Sequence, residues 1–243
     1  MKYMGSKARI AKHILPIMLK NRAEGQWWVE PFVGGANMID KVEGNRLGAD
    51  LNKPLIACLD GLSSGWLPQK EVTEEFFNQV KKDNSIVDIA TLGYIGTQLT
   101  YGAMWFSTYR RDKAGLRDYA NEAFRHVEKQ ASKIKGVTFK SCSYSELDMP
   151  TESIIYCDPP YKGTAKYKAV EEFDHDVFFE WCRSMAKQGH TVFISEYNAP
   201  DDFISVWQKE ITSSLGKDTG SKKGIEKLFV HESQVESDYH SLY

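Results

Sequence analysis

The stretch IIYCDPPYKG, Ile154 to Gly163, opens as a buried strand and closes on groups a core has no use for. After Ile154, Ile155, Tyr156 and Cys157 come Asp158, Pro159, Pro160 and Tyr161. A strand interior rejects proline because it removes a ladder donor, and an unpaired buried carboxylate is costly. The two prolines stiffen the turn and present carbonyls that carry no N–H of their own. Asp158 and the carbonyl of Pro159 thus become two adjacent acceptors, with Tyr161 as a flat ring beyond. Two acceptors and a ring suit a planar base that bears an exocyclic amine. A purely structural turn rarely needs all three.

Two other stretches hold groups of use to a ligand. In EPFVGGAN, Gly34 and Gly35 let the backbone approach a bound molecule closely, although a tight strand–helix turn needs glycine anyway. The full G-x-G-x-x-G spacing of a nicotinamide-binding turn is absent. Asp50 ends the next apolar run, where an acidic side chain accepts both hydroxyls of a ribose or, equally, caps a helix. A third stretch is basic: between Tyr109 and Lys135 stand eight Lys/Arg against four Asp/Glu. Taken alone, that is a solvated helix face.

These groups need elements to position them. KARIAKHILPIML sets Ile10, Ile14, Leu15 and Met18 at helical spacing, with Ser6 as a cap. A short strand is expected from Trp27 to Phe32, a Gly-Gly turn, a helix starting near Ala36, and a second strand over Arg46–Asp50. Asn52 and Pro54 then fit the cap and first turn of another helix. Alternation of this kind opens a parallel sheet with crossover helices. Residues from about 63 to 134 read as mostly helical, with no clear buried strand. Strands resume at Val137–Ser141, Ile154–Cys157 and Thr191–Glu196, with a helix over Asp174–Lys187 that buries Phe178, Phe179, Trp181 and Cys182. The segments Ile204–Ile211 and Ile225–His231 finish the sheet, the latter as a strand. An open parallel sheet gathers its strand ends along one edge, where ligands bind.

The 243 residues suffice for one large α/β domain with an inserted module. With 42% apolar and 26% charged residues the composition is that of a folded globular chain, and no apolar run approaches a membrane span. The positive start lacks an apolar region after it, so no secretory signal is expected. Four scattered cysteines without a CxxC pair, and six unclustered histidines, point away from zinc and disulfides and toward a reducing compartment. A net charge of −2 offers no whole-molecule attraction to nucleic acid, so any such contact must be local.

DPPY after an apolar strand, EPFVGGAN upstream and KYMGSK at the start together resemble the amino-methylating DNA methyltransferases. Their order is similar to that of the Dam-like, D12-class adenine-N6 group, and the likeness runs through ADLN and SYSEL over nearly the whole chain. Related glycine turns often read F-x-G-x-G, whereas Ala36 fills the last place here. The resemblance implies a Rossmann-like α/β methyltransferase fold with a mostly parallel seven-stranded sheet. It places the catalytic domain over 1–62 and 136–243 and a helical DNA-recognition insert over 63–135.

It also implies roles. S-adenosylmethionine, leaving as S-adenosylhomocysteine, would lie over Phe32, Gly34 and Gly35 with Asp50 at its ribose. Tyr3 and Lys7 would border its methionine end, Ser143 and Tyr144 its adenine, and Asp158 its reacting end. The acceptor would be N6 of an adenine flipped out of double-stranded DNA, because the amine is unreachable in the stack. Asp158 and the Pro159 carbonyl would accept from that amine, with Pro160 stiffening the turn and Tyr161 stacking on the base. Tyr109, Arg110, Arg111, Lys113 and Arg117 are the DNA-contact candidates, with Lys162, Lys166 and Lys168 either closing over the base or forming a solvated loop. Cys157 is expected to be a buried thiol rather than a nucleophile. A monomer in the cytoplasm of a bacterium or phage-infected host, with no metal and no membrane, completes the expectation. Cytosine N4, RNA or a glutamine amide are rival acceptors, disfavoured by Asp158, since the cytosine enzymes more often carry Ser there and the glutamine enzymes Asn. A DNA-binding relative that has lost catalysis is a rival of another class.

Overall fold

Where a strand is buried on both faces, its sequence reads as an unbroken apolar run, and two such runs form the centre of this fold. The computed structural model describes residues 1–112, 114–161, 173–212 and 223–235. In chain order its strands are β1 (Trp28–Glu30), β2 (Arg46–Ala49), β3 (Thr138–Lys140), β4 (Ile154–Cys157), β5 (Thr191–Glu196), β6 (Phe203–Thr212) and β7 (Lys223–His231). The α-helices are α1 (Ala11–Met18), α2 (Lys53–Ser63), α3 (Glu74–Lys82), α4 (Ile89–Gln98), α5 (Tyr119–Ile134) and α6 (His175–Lys187). The strands form a seven-stranded sheet in the order β3-β2-β1-β4-β5-β7-β6. The pairs β2/β3, β1/β4 and β4/β5 are parallel, whereas β7 runs antiparallel to both β5 and β6. This is the α/β architecture the sequence pattern predicts, with the two last apolar segments paired as an antiparallel ribbon.

The chain divides into two compact units. The first comprises Met1–Lys12 and Pro31–Leu147, the second His13–Glu30 and Asp148–Tyr243. In the first unit, α2 starts as expected: Asn52 Oδ1 accepts from Leu55 N at 3.2 Å, with Pro54 in the first turn. Ala123, Val127, Gln130 and Ile134 form the buried stripe of α5, and Gln130 is its one polar member. The helix expected near Ala36 does not form. Residues 34–38 are turns, followed by a single 3₁₀ turn at Ile39–Lys41. Gly34 and Ala36 have φ of 46° and 54°, left-handed values that an α-helix cannot contain.

In the second unit, all four residues of β4 are buried, and its register runs Ile154↔Thr191 through Cys157↔Ile194. Asp174 caps α6 by accepting from the N–H groups of Asp176 and Val177, each at 3.0 Å. Phe178, Phe179 and Cys182 of α6 are buried, and Trp181 is half-buried against Phe178. Fully burying each such side chain contributes about 1.5–3 kcal/mol.

One contact in the first unit admits no side chain at all. A Cβ on Gly93 of α4 would stand 1.9 Å from the Pro54 carbonyl oxygen and 3.0 Å from Cys58 Cβ, both on α2. Backbone cannot give way as a flexible side chain would, so Gly93→Ala should lower stability by about 3 kcal/mol, at the upper end of overpacking costs. Urea denaturation measures this; a loss under about 0.5 kcal/mol, the range of an indifferent surface change, would show that the helices part freely.

Candidate functional site

In the first unit the functional residues gather on the turn after Pro31. Val33 N donates to Ala49 O at 2.8 Å, which ties the turn to the end of β2. Gly34 N donates to Asp50 Oδ2 at 3.1 Å, while Asn52 N donates to Oδ1 at 2.9 Å. Asp50 is only half-buried by surface, yet it is ringed so closely that desolvation raises its pKa above 3.8, partly offset by N–H groups of Asn52, Gly34 and Leu51. Both of its oxygens keep lone pairs beyond these bonds. Tyr3 lies on the same turn: a Cβ on Gly34 would meet its Cε1 at 2.6 Å, and one on Gly35 would meet its Cβ at 2.6 Å. Close approach of Tyr3 is therefore what these two glycines permit. Phe32 and Tyr144 pack ring on ring at 5.3 Å, and Ser143 Oγ bonds with Ser145 Oγ at 3.0 Å. Lys7 Nζ donates to Gly5 O at 3.3 Å, in a 3₁₀ turn capped by Ser6. Tyr3, Asp50 and, through Phe32, Tyr144 thus meet the stretch that carries Gly34 and Gly35, whereas Ser143 bonds only to its own neighbours among the described residues.

Two glutamines that sequence reasoning passed over hold this arrangement. Gln130 Nε2, buried on α5, donates at 3.0 Å to the carbonyls of both Gly35 and Ala36, and its Oε1 accepts from the Met1 nitrogen at 2.5 Å. Gln98, buried at the end of α4, accepts from Lys2 N at 3.0 Å and donates to Lys2 O at 3.1 Å. A polar residue at a core position of an amphipathic helix was the available signal for Gln130. Asn37 Nδ2 is buried without an acceptor among the described residues, a donor beside Gly35. The turn therefore presents a ribose-type acceptor, an aromatic pair and one spare donor, a set that fits a nucleoside bearing a polar tail.

In the second unit the candidates follow β4. Asp158 is half-buried, Pro159 buried and Pro160 exposed. The Tyr161 hydroxyl donates to Glu226 Oε1, and its ring meets Tyr197 edge-on at 4.7 Å. One strand turn earlier, Tyr156 shares a 2.8 Å hydrogen bond with Ser195 Oγ and stacks on Trp28 at 6.0 Å. Trp28 Nε1 in turn donates to Glu30 at 2.7 Å, and Tyr197 N to Glu196 at 2.7 Å. Glu30, Glu196 and Glu226 are each 2% exposed, which makes a carboxylate-rich surround that sequence reasoning missed. Burial first, and then the charge of Asp158, pushes the phenols of Tyr156 and Tyr161 well above their usual pKa, so both stay protonated donors. Cys157 and Cys182 are fully buried, with the Cys182 thiol pushed up by burial and by Cys157. Among the described residues, no group of three His, Cys, Asp or Glu could hold a metal, and no helix is long and apolar enough to cross a membrane.

The basic candidates are engaged within the first unit. Arg110 and Arg117 lie over the Tyr119 ring at 3.9 and 4.8 Å, Arg117 grips Glu122 through Nε at 2.9 Å, and Arg111 pairs with Glu74 at 2.9 Å. The Tyr109 hydroxyl donates to Val72 O at 2.6 Å with its ring against Phe77. Tyr101, Met104, Trp105 and Leu116 of this region are exposed instead. Lys113, Lys162, Lys166 and Lys168 lie outside the described residues.

A profile of the D12 class N6 adenine-specific DNA methyltransferase family matches residues 3–222. Among solved structures the chain is similar to "SMU.472, a putative methyltransferase complexed with SAH", at 14% identity and a TM-score of 0.37. That match covers 95% of this chain but 54% of the other, so this chain spans about half the length of the protein it matches. No curated protein matches it by sequence.

Gln130→Leu keeps the apolar stripe of α5 but removes the donor from two carbonyls. It should cost about 1–3 kcal/mol, the desolvation penalty of unmet buried groups, whereas Lys129→Ala on the exposed face should stay within about 0.5 kcal/mol. Urea titration of both variants checks this, and equal stabilities would remove Gln130 from the support of the turn.

Proposed function

This chain belongs to the D12 class N6 adenine-specific DNA methyltransferase family, and from that premise we propose that it methylates N6 of adenine in double-stranded DNA. The observation that carries the reading is the end of β4, where Asp158 and the donor-free Pro159 follow four buried residues and precede a tyrosine held by Glu226. S-adenosylmethionine supplies an electrophilic methyl group, and SAH is its product. Asp50 suits its ribose hydroxyls, Phe32 and Tyr144 its adenine, and Tyr3, Lys7, Gly34, Gly35 and Ser143 the remainder. These residues belong to the first unit, and the amine acceptors Asp158 and Pro159 O to the second.

Asp158 and the Pro159 carbonyl accept the two N–H groups of the adenine amine. That leaves the nitrogen lone pair out of the ring plane, available to the methyl carbon, so the gain comes from positioning and electrostatics. Asp158 would also take up the proton that the amine nitrogen gives up when it gains the methyl group. Tyr161 stacks on the extruded base, worth on the order of 1–3 kcal/mol and comparable to a flipping cost of roughly a few kcal/mol. No thiol is needed, in keeping with the burial of Cys157. Residues 63–135 serve target recognition in this reading. Arg110, Arg111, Lys113 and Arg117 would exchange their internal partners for phosphates, and Tyr109 would support the segment. A monomer acting on DNA in a bacterial cytoplasm, or in a phage-infected cell, completes the proposal.

Single-turnover transfer of labelled methyl to unmethylated genomic duplex DNA tests the reading directly. The parent chain should label adenine N6. Asp158→Asn, which turns part of an acceptor into a donor, should slow transfer by at least about a hundredfold while DNA and cofactor affinities stay near parental. Near-parental rates in that variant would sink the acceptor role, and label on cytosine or RNA would favour a rival substrate.

The cofactor side yields a pH dependence. Because burial holds the Asp50 pKa above 3.8, acidification protonates it sooner than an exposed aspartate, and protonation takes away one acceptor for the ribose. Cofactor affinity should therefore be highest with Asp50 ionised and fall as pH drops through its raised pKa. Asp50→Asn should bind more weakly and without that pH step. Calorimetry over a pH series reads both effects, and an identical step in the variant would assign it to another group.

A further inference from the structure

Tyr161 is held from β7, a strand that no motif of the sequence marks. Two residues of that strand, Gly224 and Glu226, stand two positions apart and so point to one face. Glu226 is 2% exposed and accepts the Tyr161 hydroxyl. Gly224 leaves room for the second ring: a Cβ there would stand 3.3 Å from Cε1 of Tyr197. Tyr197, packed edge-on against Tyr161 at 4.7 Å, closes the other side of the seat. Tyr197 is in turn anchored at its backbone, where N donates to Glu196 Oε1 at 2.7 Å. Antiparallel pairing sets the height of this seat, because Glu196↔Lys227 and Ser195↔Leu228 fix which residues of β7 reach the end of β5. A one-residue slip would turn Glu226 to the opposite face.

We propose that Glu226, with Tyr197 and Gly224, is the positioning residue that sets the plane of the Tyr161 ring against the extruded base. The assignment rests on the adenine-methylation reading above. A buried carboxylate is a costly choice for a structural core, and its cost is lowest when it takes a strong charge-assisted hydrogen bond from a donor that cannot ionise. The phenol of Tyr161 meets that condition, since burial and the charges of Asp158 and Glu226 keep it protonated. Fixing the hydroxyl at one end and the ring edge on Tyr197 removes both rotations that a ring on a turn otherwise has. A stacked base then meets a plane already in place, and its amine is delivered to Asp158 without reorganisation.

The test uses the whole chain, methyl-labelled S-adenosylmethionine and unmethylated genomic duplex DNA. Glu226→Ala and Tyr161→Phe should each slow single-turnover transfer by about tenfold to a hundredfold, the scale of a misplacement near 1 Å. Calorimetric affinity for the cofactor should remain parental in both, which a merely unfolded site would not allow. Glu226→Gln retains an acceptor and should recover part of the loss. The decisive measurement is the double variant: in the Tyr161→Phe background, Glu226→Ala should add no further slowing. If Glu226→Ala fails to fold, Tyr161→Phe together with Glu226→Gln carries the same cycle. Multiplying losses, or parental rates in Tyr161→Phe, would overturn the assignment while leaving the methylation reading intact. A parent chain that labels no adenine overturns that reading and the assignment with it.

Discussion

β4 is hydrogen-bonded to a parallel neighbour on each side and buried across all four residues, and this confinement governs how it can end. Inside the ladder β4 pairs with β1 on one side and β5 on the other, so a residue without a donor or with a charge is costly until the strand stops. Asp158 and Pro159 mark that stop. The neighbouring parallel strands end in the same manner, β1 on Glu30 and β5 on Glu196, because parallel strands place their carboxyl ends along one edge. Polar chemistry in the second unit collects where apolar packing ends.

That collection is costly unless each charge is met. Three glutamates at 2% exposure would each destabilise the fold if left alone. Trp28 Nε1, Tyr197 N and the Tyr161 hydroxyl supply one donor apiece. Carboxylates close to phenols also repel phenolate, which adds to burial in holding the Tyr156 and Tyr161 phenols well above their usual pKa. Such a surround favours an incoming amine or cation over an anion. In the proposed reaction the attacking amine is of the favoured kind.

The first unit solves a different problem, that of holding a strained turn open. Left-handed geometry at Gly34 and Ala36 points consecutive carbonyls away from any helix, so they need donors from elsewhere. Gln130 supplies both bonds from one amide. Alanine in a left-handed conformation carries a strain of order 1–2 kcal/mol, which explains why related turns place glycine at that position. Here the double bond to Gln130 helps hold it. Since Gln130 belongs to α5, the helix that closes the 63–135 stretch also supports the turn.

What the sequence determined by itself was local. The limits of β4 and β5 follow from apolar runs bounded by turn residues, and the start of α2 from Asn52 as its cap. The identity of Asp158, Pro159 and Tyr161 as unusual strand-end residues, and the family they announce, needed no coordinates either. The helix expected after Ala36 failed because the deciding term was not propensity but the packing of Tyr3 and Gln130 around the turn. Tertiary structure alone decided that the Tyr109 hydroxyl donates to Val72, that β7 enters the sheet between β5 and β6, and that Glu226 meets a tyrosine 65 residues earlier. Capping and periodicity act between residues a few positions apart, so they are written in the local pattern. Pairings across 65 or 95 residues depend on strand order and register, which arise only when the whole sheet has formed.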